Sequence, residues 1–422
     1  MIINEEEFFV TEYFPDPMKK IVYAPLRASV FVVDNSFIEK ISNTEDVDVK
    51  EFIDYLKTKE NIDIQTVLKV QQNEVPNLSI SLTNDCNLKC IYCHANAGSP
   101  FNNDTFSKKN IDLVIEKYFG LLESNYTDVQ DIQLSFMGGG EPTIKFDLMV
   151  HAIERCKAET SKRKIKLHIV TATNGCYSKK VANYLIAEFS HISFSFDGPE
   201  LIQNHHRPFK NGSKSFDISF NNAKYLYTKQ KSFSFRSTVS KITIENHKQF
   251  IDFFCENFPH TSIGVEPLSK FGRGKQSEIA PTLDEFHEFM QKIEEYSQNK
   301  PIEIKNSAIE KLQLIRTYFC RAVSAPSFNV NPAGELWACA RENAPDIFLY
   351  GKFDFNRNEL NIDNDKRMAL KNCNVFSFSE CKDCISKYHC AGDCPDYRFE
   401  KLLRCKTTQM LTAKMLNKII DN

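Results

Sequence analysis

From residue 78 onward, short apolar or alternating runs recur between longer stretches that carry an apolar stripe at helical spacing. LSISLT (78–83), IQLSF (132–136), KLHIVTA (166–172), ISFSF (192–196), SFSFRSTV (232–239) and IGVEP (263–267) read as strands. IDLVIEKYFGLLES, DLMVHAIERCKAE, KVANYLIAEF and KQFIDFFCENF, which lie between them, read as helices. Strands alternating with helices predict an α/β fold with a parallel sheet, curled by right-handed crossovers into a partial (β/α)6 TIM-like barrel over residues 76–275. Functional groups of such a barrel belong at the C-terminal strand ends, in the βα loops. Ahead of it, KIVYAPLRASVFVVDNSFIEKI predicts two short strands and DVKEFIDYLKTK an amphipathic helix, a small α+β module over residues 1–75. LDEFHEFMQKIEEYSQ (283–298) predicts a bridging helix within 276–310. From 311 to 422 the alternation gives way to an irregular, cysteine-rich segment, as where metal clusters replace part of an apolar core.

Composition narrows the class. At 422 residues, 42% hydrophobic and 26% charged, the chain reads as an ordinary globular protein of two or three domains. A net charge of -2 gives no sign of a nucleic-acid or membrane-surface partner. The apolar runs are broken by charges well short of the roughly 20 residues a spanning helix needs. MIINEEEFF carries no basic region followed by an apolar stretch, so a cytoplasmic location with reduced cysteines is expected.

Most of the 14 cysteines fall into two spaced sets. Cys86, Cys90 and Cys93, in CNLKCIYC just after the first strand, form C-x3-C-x2-C, one thiolate short of a closed tetrahedral zinc or iron–sulfur site. An iron with an open position can bind a further ligand; the plain alternative is a zinc knuckle. The second set comprises Cys320, Cys339, Cys381, Cys384, Cys390, Cys394 and Cys405, in which a C-x2-C could equally begin a zinc ribbon. Cys156 and Cys255 fall on apolar helix faces and read as core residues, Cys176 as a packing residue, and the His205–His206 pair as a loop feature. GGGEP at 138–142 follows the second strand: bare backbone at Gly139 and Gly140 allows close approach to a ligand, and Glu141 can accept from an ammonium group. Thr173, Asn174 and Gly175 follow the third strand, Ser195, Asp197 and Gly198 close the fourth, and Glu266 ends the sixth.

The cysteine loop and GGGEP at successive strand ends resemble the radical S-adenosylmethionine (radical SAM) enzymes. The resemblance implies a 4Fe-4S cluster on Cys86, Cys90 and Cys93, with S-adenosyl-L-methionine chelating the fourth iron. One-electron reduction would then release a 5'-deoxyadenosyl radical that takes a hydrogen atom from substrate. It further implies Tyr92 against the adenine, Gly139, Gly140 and Glu141 at the methionyl amine, and Thr173, Asn174, Ser195 and Asp197 toward the ribose and carboxylate. Arg207, in DGPELIQNHHRP, sits where the maturase branch places an arginine near that carboxylate, and Glu266 belongs to the same rim.

The second cysteine set, C-x13-G-x4-C, gap, C-x2-C-x5-C-x3-C, gap, C, resembles the SPASM domain. That implies two auxiliary 4Fe-4S clusters, three clusters in all, with Cys320, Cys339 and Cys394 at the first and Cys381, Cys384, Cys390 and Cys405 at the second. No cysteine lies between 320 and 339, so Cys373 or the substrate is expected to complete the first. Family members with this layout modify ribosomally made (RiPP) peptides, and residues 1–75 are similar to the winged-helix-like peptide-recognition module such maturases carry. The implied function is an oxidoreductase that installs a thioether, carbon–carbon or ether cross-link in a precursor peptide, with a flavodoxin- or ferredoxin-type reductant. The alternative within the family is an anaerobic sulfatase-maturating enzyme forming formylglycine, which places an aspartate where this chain has Ala340. A non-catalytic electron carrier would have no need of a cofactor site.

Overall fold

Each apolar run singled out between residues 78 and 267 is a strand in the computed structural model of the chain, which describes residues 2–3, 5–99, 104–269, 271–307, 314–341, 346–399 and 404–421. The chain gathers into two compact units that are not consecutive in sequence. One comprises Met1–Glu74, Ala308–Ala325 and Lys371–Asn422, the other Val75–Ser307 and Pro326–Leu370.

After a short antiparallel pairing of Ile2–Ile3 with Glu6–Glu7, the first unit forms an antiparallel sheet of β1 (Phe9–Glu12), β2 (Lys19–Ala24) and β3 (Ser29–Asp34), in that order. Helices α1 (Asn35–Lys40), α2 (Val47–Lys57) and α3 (Ile64–Gln72) follow. The two-residue period of β2 decides how it is covered. Val22 and Ala24 turn to one side, with Phe8, Ile41, Val49, Ile53 and Leu56. Ile21 and Tyr23 turn to the other, with Phe9 and Leu416.

The second unit holds the barrel. Its strands are β4 (Leu78–Ile80), β5 (Asp131–Phe136), β6 (Lys166–Thr173), β7 (His191–Ser195), β8 (Phe233–Val239) and β9 (Thr261–Pro267). The main helices between them are α4 (Lys108–Asn125), α5 (Phe146–Arg163), α6 (Lys179–Glu188), α7 (Glu200–His206), α8 (Phe216–Thr228), α9 (Lys241–Glu245) and α10 (His247–Asn257). Helix α11 (Leu283–Ser297) is started by a Thr282/Glu285 capping box. It packs on the barrel, where the Tyr296 hydroxyl donates to Asp252 of α10 at 2.7 Å. It also leads into β10 (Ile302–Lys305), which pairs in parallel with β9.

The segment expected to be irregular supplies four more strands: β11 (Phe328–Val330), β12 (Glu335–Trp337), β13 (Leu349–Asp354) and β14 (Glu359–Ile362). β11 joins β4 in parallel and the others follow antiparallel, giving the order β10-β9-β8-β7-β6-β5-β4-β11-β12-β13-β14. The expected partial barrel is therefore the centre of a larger, mostly parallel sheet. Beneath β7 and β8 the helix side is a wall of phenylalanine. Phe235 lies 4.8 Å from Phe258 and 5.0 Å from Phe254 between ring centres, spacings at which edge-to-face rings attract. The first unit is completed by α12 (Cys405–Asp421), whose Leu416 packs on β2 and whose Asn417 amide donates to the Glu12 carbonyl at 3.0 Å.

Candidate functional site

Beyond β4 the chain enters the C-x3-C-x2-C loop. Cys86, Tyr92, Cys93 and Phe209 pack against Leu88, Cys90 and Cys176, so the three thiols share one apolar cluster. The Cys86 sulfur accepts from the Leu88 amide at 3.4 Å and the Asn174 side chain at 3.8 Å, donors that suit a thiolate. Burial pushes the Cys90 thiol up to about 11, opposed by the Arg207 and Arg273 guanidiniums. Ligation by thiolate would release that proton. Among the described residues no three thiol, imidazole or carboxylate side chains converge as they would around a single ion.

The loop is clasped from the far side of the barrel by GRGKQ (272–276), after β9. The Arg273 guanidinium donates to the Cys90 carbonyl at 2.8 Å and the Ala97 carbonyl at 2.9 Å, and its amide donates to the Cys93 carbonyl at 3.0 Å. A Cβ on Gly272 would lie 2.3 Å from the Cys93 carbonyl oxygen, and its φ is +51°. Arg273→Ala keeps the backbone bond to Cys93 but removes the guanidinium from the Cys90 and Ala97 carbonyls. It is expected to weaken iron retention against a chelator by about 10–100-fold, as loss of an outer ligand-orienting group does. Iron retained after a timed challenge with bathophenanthroline measures it.

GGGEP lies against the same loop. A Cβ on Gly140 would sit 1.6 Å from the Asp85 carbonyl oxygen, and one on Gly139 2.4 Å from the Ser81 hydroxyl. The close approach these glycines allow is thus to the segment that carries the cysteines. The Gly140 and Glu141 amides donate to the Thr83 and Asp85 carbonyls at 2.7 and 2.9 Å. The Glu141 carboxylate accepts from the Thr143 hydroxyl (2.6 Å), the Thr173 hydroxyl (2.8 Å) and the Asn174 amide (2.8 Å). Burial raises its pKa against these bonds. The carboxylate thus ties the loop after β5 to the end of β6, and the Glu141 amide ties both to the cysteine loop. Asn174 continues the link, donating to Asn87 at 2.7 Å and accepting from the Cys176 amide at 2.9 Å.

At the end of β7, Asp197 is fully buried. It accepts from the Tyr92 hydroxyl, from Arg207 Nε at 2.9 Å and from the Thr238 amide at 2.9 Å, with His206 Nδ1 at 3.1 Å. His206 Nε2 lies 2.9 Å from the Ser240 hydroxyl. His205 and His206, expected in a loop, form the last turn of α7, and His206 is fully buried. Burial alone would raise the Asp197 pKa; Arg207, then His206 and Tyr92, outweigh it and hold the carboxyl far below the usual range. Tyr92 spends its hydroxyl here, and its ring meets His206 edge-on at 5.6 Å. Ser195 is half-buried beside this network, and Glu266 accepts from the Ser307 amide at 2.7 Å. Cys156 is buried as expected, whereas Cys255 is half-buried.

The radical SAM superfamily profile matches residues 80–254, the span from the first barrel strand to α10. Residues 80–254 are a radical SAM domain. The chain is 21% identical over 384 residues to the radical SAM cyclopropyl synthase TigE of Paramaledivibacter caminithermalis, covering 86% of this chain and 77% of that one. Its fold is similar to anSMEcpe with bound AdoMet and Cp18Cys peptide (TM-score 0.63, 16% identity, 82% of this chain and 99% of that one). It is also similar to Streptococcus suis SuiB bound to precursor peptide SuiA (TM-score 0.52, 14% identity, 94% of this chain and 96% of that one). No helix among the described residues is long and apolar enough to cross a membrane.

Outside the radical SAM domain, the later cysteines divide between the two units. Cys339 belongs to the second, and Cys320, Cys373, Cys381, Cys384, Cys390, Cys394 and Cys405 to the first. Cys384 is within electrostatic reach of Cys381, Cys390 and Cys405. Three of these four sulfurs accept N–H donors: Cys390 from the Asp393 amide at 3.1 Å, Cys384 from Gln409 at 3.4 Å and Cys381 from Arg398 at 3.7 Å. The turn between Cys390 and Cys394 runs through three successive positive φ values at Ala391, Gly392 and Asp393, 53°, 97° and 63°. It is locked by Asp393, which accepts from the Cys394 amide at 2.7 Å and pairs with buried Arg404 at 2.5 Å. Cys381 also packs with Val375, Tyr388, Leu26 and Ile64, so the N-terminal module and the cysteine tail share apolar packing.

Proposed function

We propose that the chain is a radical SAM peptide maturase with auxiliary iron–sulfur clusters of the SPASM type. The observation that carries the reading is the three-thiol loop at the end of the first parallel barrel strand, tied to GGGEP and to the Thr173–Asn174 strand end. Cys86, Cys90 and Cys93 would hold a 4Fe-4S cluster, with Tyr92, Gly139, Gly140, Glu141, Thr173, Asn174, Ser195, Asp197, Arg207 and Glu266 forming or bracing the S-adenosylmethionine site. When bound there, cluster and cofactor together supply a one-electron cleavage that starts hydrogen abstraction from substrate. Glu141 and Asp197 act as braces, because their oxygens are taken up by the chain's own donors. The backbone between Gly138 and Gly140 and the half-buried Ser195 are then the groups left to meet the cofactor.

Cys381, Cys384, Cys390 and Cys405 would hold one auxiliary cluster, and Cys320, Cys339 and Cys394 another. Cys373 fits as its fourth ligand, since the Val375 amide donates to the Thr317 carbonyl at 2.8 Å and sets the Cys373 segment beside the one leading to Cys320. The β1–β3 sheet offers edge strand β3 for a peptide to extend. The fold is similar to both anSMEcpe and the peptide-bound SuiB; Ala340, where sulfatase-maturating enzymes place an aspartate, supports a ribosomally made peptide over a sulfatase as substrate.

Anaerobic reconstitution should give about 12 irons per chain, four for each cluster. Dithionite and S-adenosylmethionine should then release 5'-deoxyadenosine. A peptide encoded beside the gene should lose two hydrogens on co-expression. Bound zinc in place of iron, or no 5'-deoxyadenosine, would sink the reading, and conversion of a sulfatase cysteine peptide to formylglycine would replace the peptide cross-link with the sulfatase role.

A further inference from the structure

One row crosses four neighbouring parallel strands of the radical SAM unit: Ser195 of β7, Arg236 of β8, Gly264 of β9 and Lys305 of β10 are register partners. Partners in a parallel ladder face the same side of the sheet. That side is the concave one, because the alternate residues Phe235 and Val239 of β8 and Ile263 and Val265 of β9 are buried on the helix side. Arg236 is exposed and Ser195 and Lys305 are half-buried, so the row opens to solvent inside the barrel.

Arg236 lies across the neighbouring strand. A Cβ on Gly264 would come within 2.9 Å of its Nη1 and 3.1 Å of its Cδ, so any side chain there would displace the guanidinium. Other arginines of this unit have partners: Arg207 pairs with Asp197, Arg163 with Glu159 and Glu123, and Arg155 with Asp112. Among the described residues Arg236 has no acidic or hydrogen-bonding partner for its guanidinium. Lys305 is answered by Glu303 at 3.1 Å, and His191, two rungs below Ser195, is hydrogen-bonded to the Ser232 and Ser234 hydroxyls. The interior row thus carries one uncompensated cation, a planar fork of donors over a glycine floor.

We propose that Arg236 anchors a carboxylate of the substrate in the barrel interior. A guanidinium takes a carboxylate through two parallel N–H···O bonds, which fixes orientation as well as position. On the peptide reading, on which this inference rests for its substrate class, the group is an acidic side chain or a terminal carboxylate near the residue to be modified. The row is level with the last residue of β7, so a group held there lies just below the strand ends where the cofactor site is placed.

The test is arginine labelling by phenylglyoxal in the reconstituted holoenzyme saturated with S-adenosylmethionine, read at Arg236 by mass spectrometry. Three probes are compared: N-acetyl-glutamate α-amide, N-acetyl-glutamine and N-acetyl-glutamine amide. The first carries a side-chain carboxylate, the second a terminal one, the third neither. Labelling of Arg236 should slow several-fold with one of the carboxylate probes and not with the diamide, and which probe protects identifies the source. Equal labelling with all three overturns the proposal, as does full protection by S-adenosylmethionine alone, which would give the arginine to the cofactor. Protection by succinate as strong as by the amino-acid probes would keep the carboxylate site and count against a peptide substrate.

Discussion

Asp197→Ala should destabilise the barrel by about 3–5 kcal/mol, the usual cost of removing one partner from a buried ion pair. The carboxylate and the Arg207 guanidinium are both buried, so the variant strands a cation with no water to replace its partner. It also leaves the Tyr92 hydroxyl and the Thr238 amide without their acceptor. Asp197→Asn keeps the shape and part of the bonding and should fall between. The folded-state pKa lies below that of the unfolded chain, so this stabilisation is complete above the ordinary carboxylate range and is lost as the pH falls through the folded-state value. Denaturant midpoints at neutral pH measure the cost, and an Asp197→Ala protein within about 1 kcal/mol of the wild type would show that the network is not holding the strand ends.

That network also marks what the sequence could reveal. The strands of the barrel were legible because apolar alternation and flanking helical stripes are local signals, and the sheet formed from them as read. The cysteine loop and GGGEP were legible because their spacing is itself the chemistry. The contacts that make these motifs a site were not. Arg273 lies 180 residues beyond Cys93 in the chain, and nothing in GRGKQ says that it caps the carbonyls of Cys90 and Cys93. Glu141 and Asp197 have the residue types of ligand-facing acids, yet donors from the cysteine loop, α7 and neighbouring strand ends bond their oxygens, and only the fold shows this. The division into units was hidden for the same reason. β11 joins the barrel through backbone pairing with β4, while Cys381 packs with Leu26 and Ile64, so linear boundaries cut across both.

Four sulfurs share the apolar cluster at the barrel mouth, and single substitutions should separate them sharply. Cys90→Ala is expected to reduce 5'-deoxyadenosine release to background, because two thiols cannot keep the three-fold attachment that leaves one iron open. Cys176→Ala should retain the iron of that site and its turnover within about twofold, at a stability cost of about 1–2 kcal/mol for the small cavity left. The geometry argues for this asymmetry. Cys176 is pushed up to about 12 by burial, with Glu141 and Cys90 adding to it, and its thiol points toward the Ser215 carbonyl at 3.9 Å. Cys86, by contrast, already accepts two N–H donors at sulfur. Iron content, the S-adenosylmethionine-sensitive EPR signal and product release, measured together on both variants, decide it. If Cys176→Ala lost the signal as fully as Cys90→Ala, the sulfur of Cys176 would belong to the site and the three-thiol assignment would have to be redrawn.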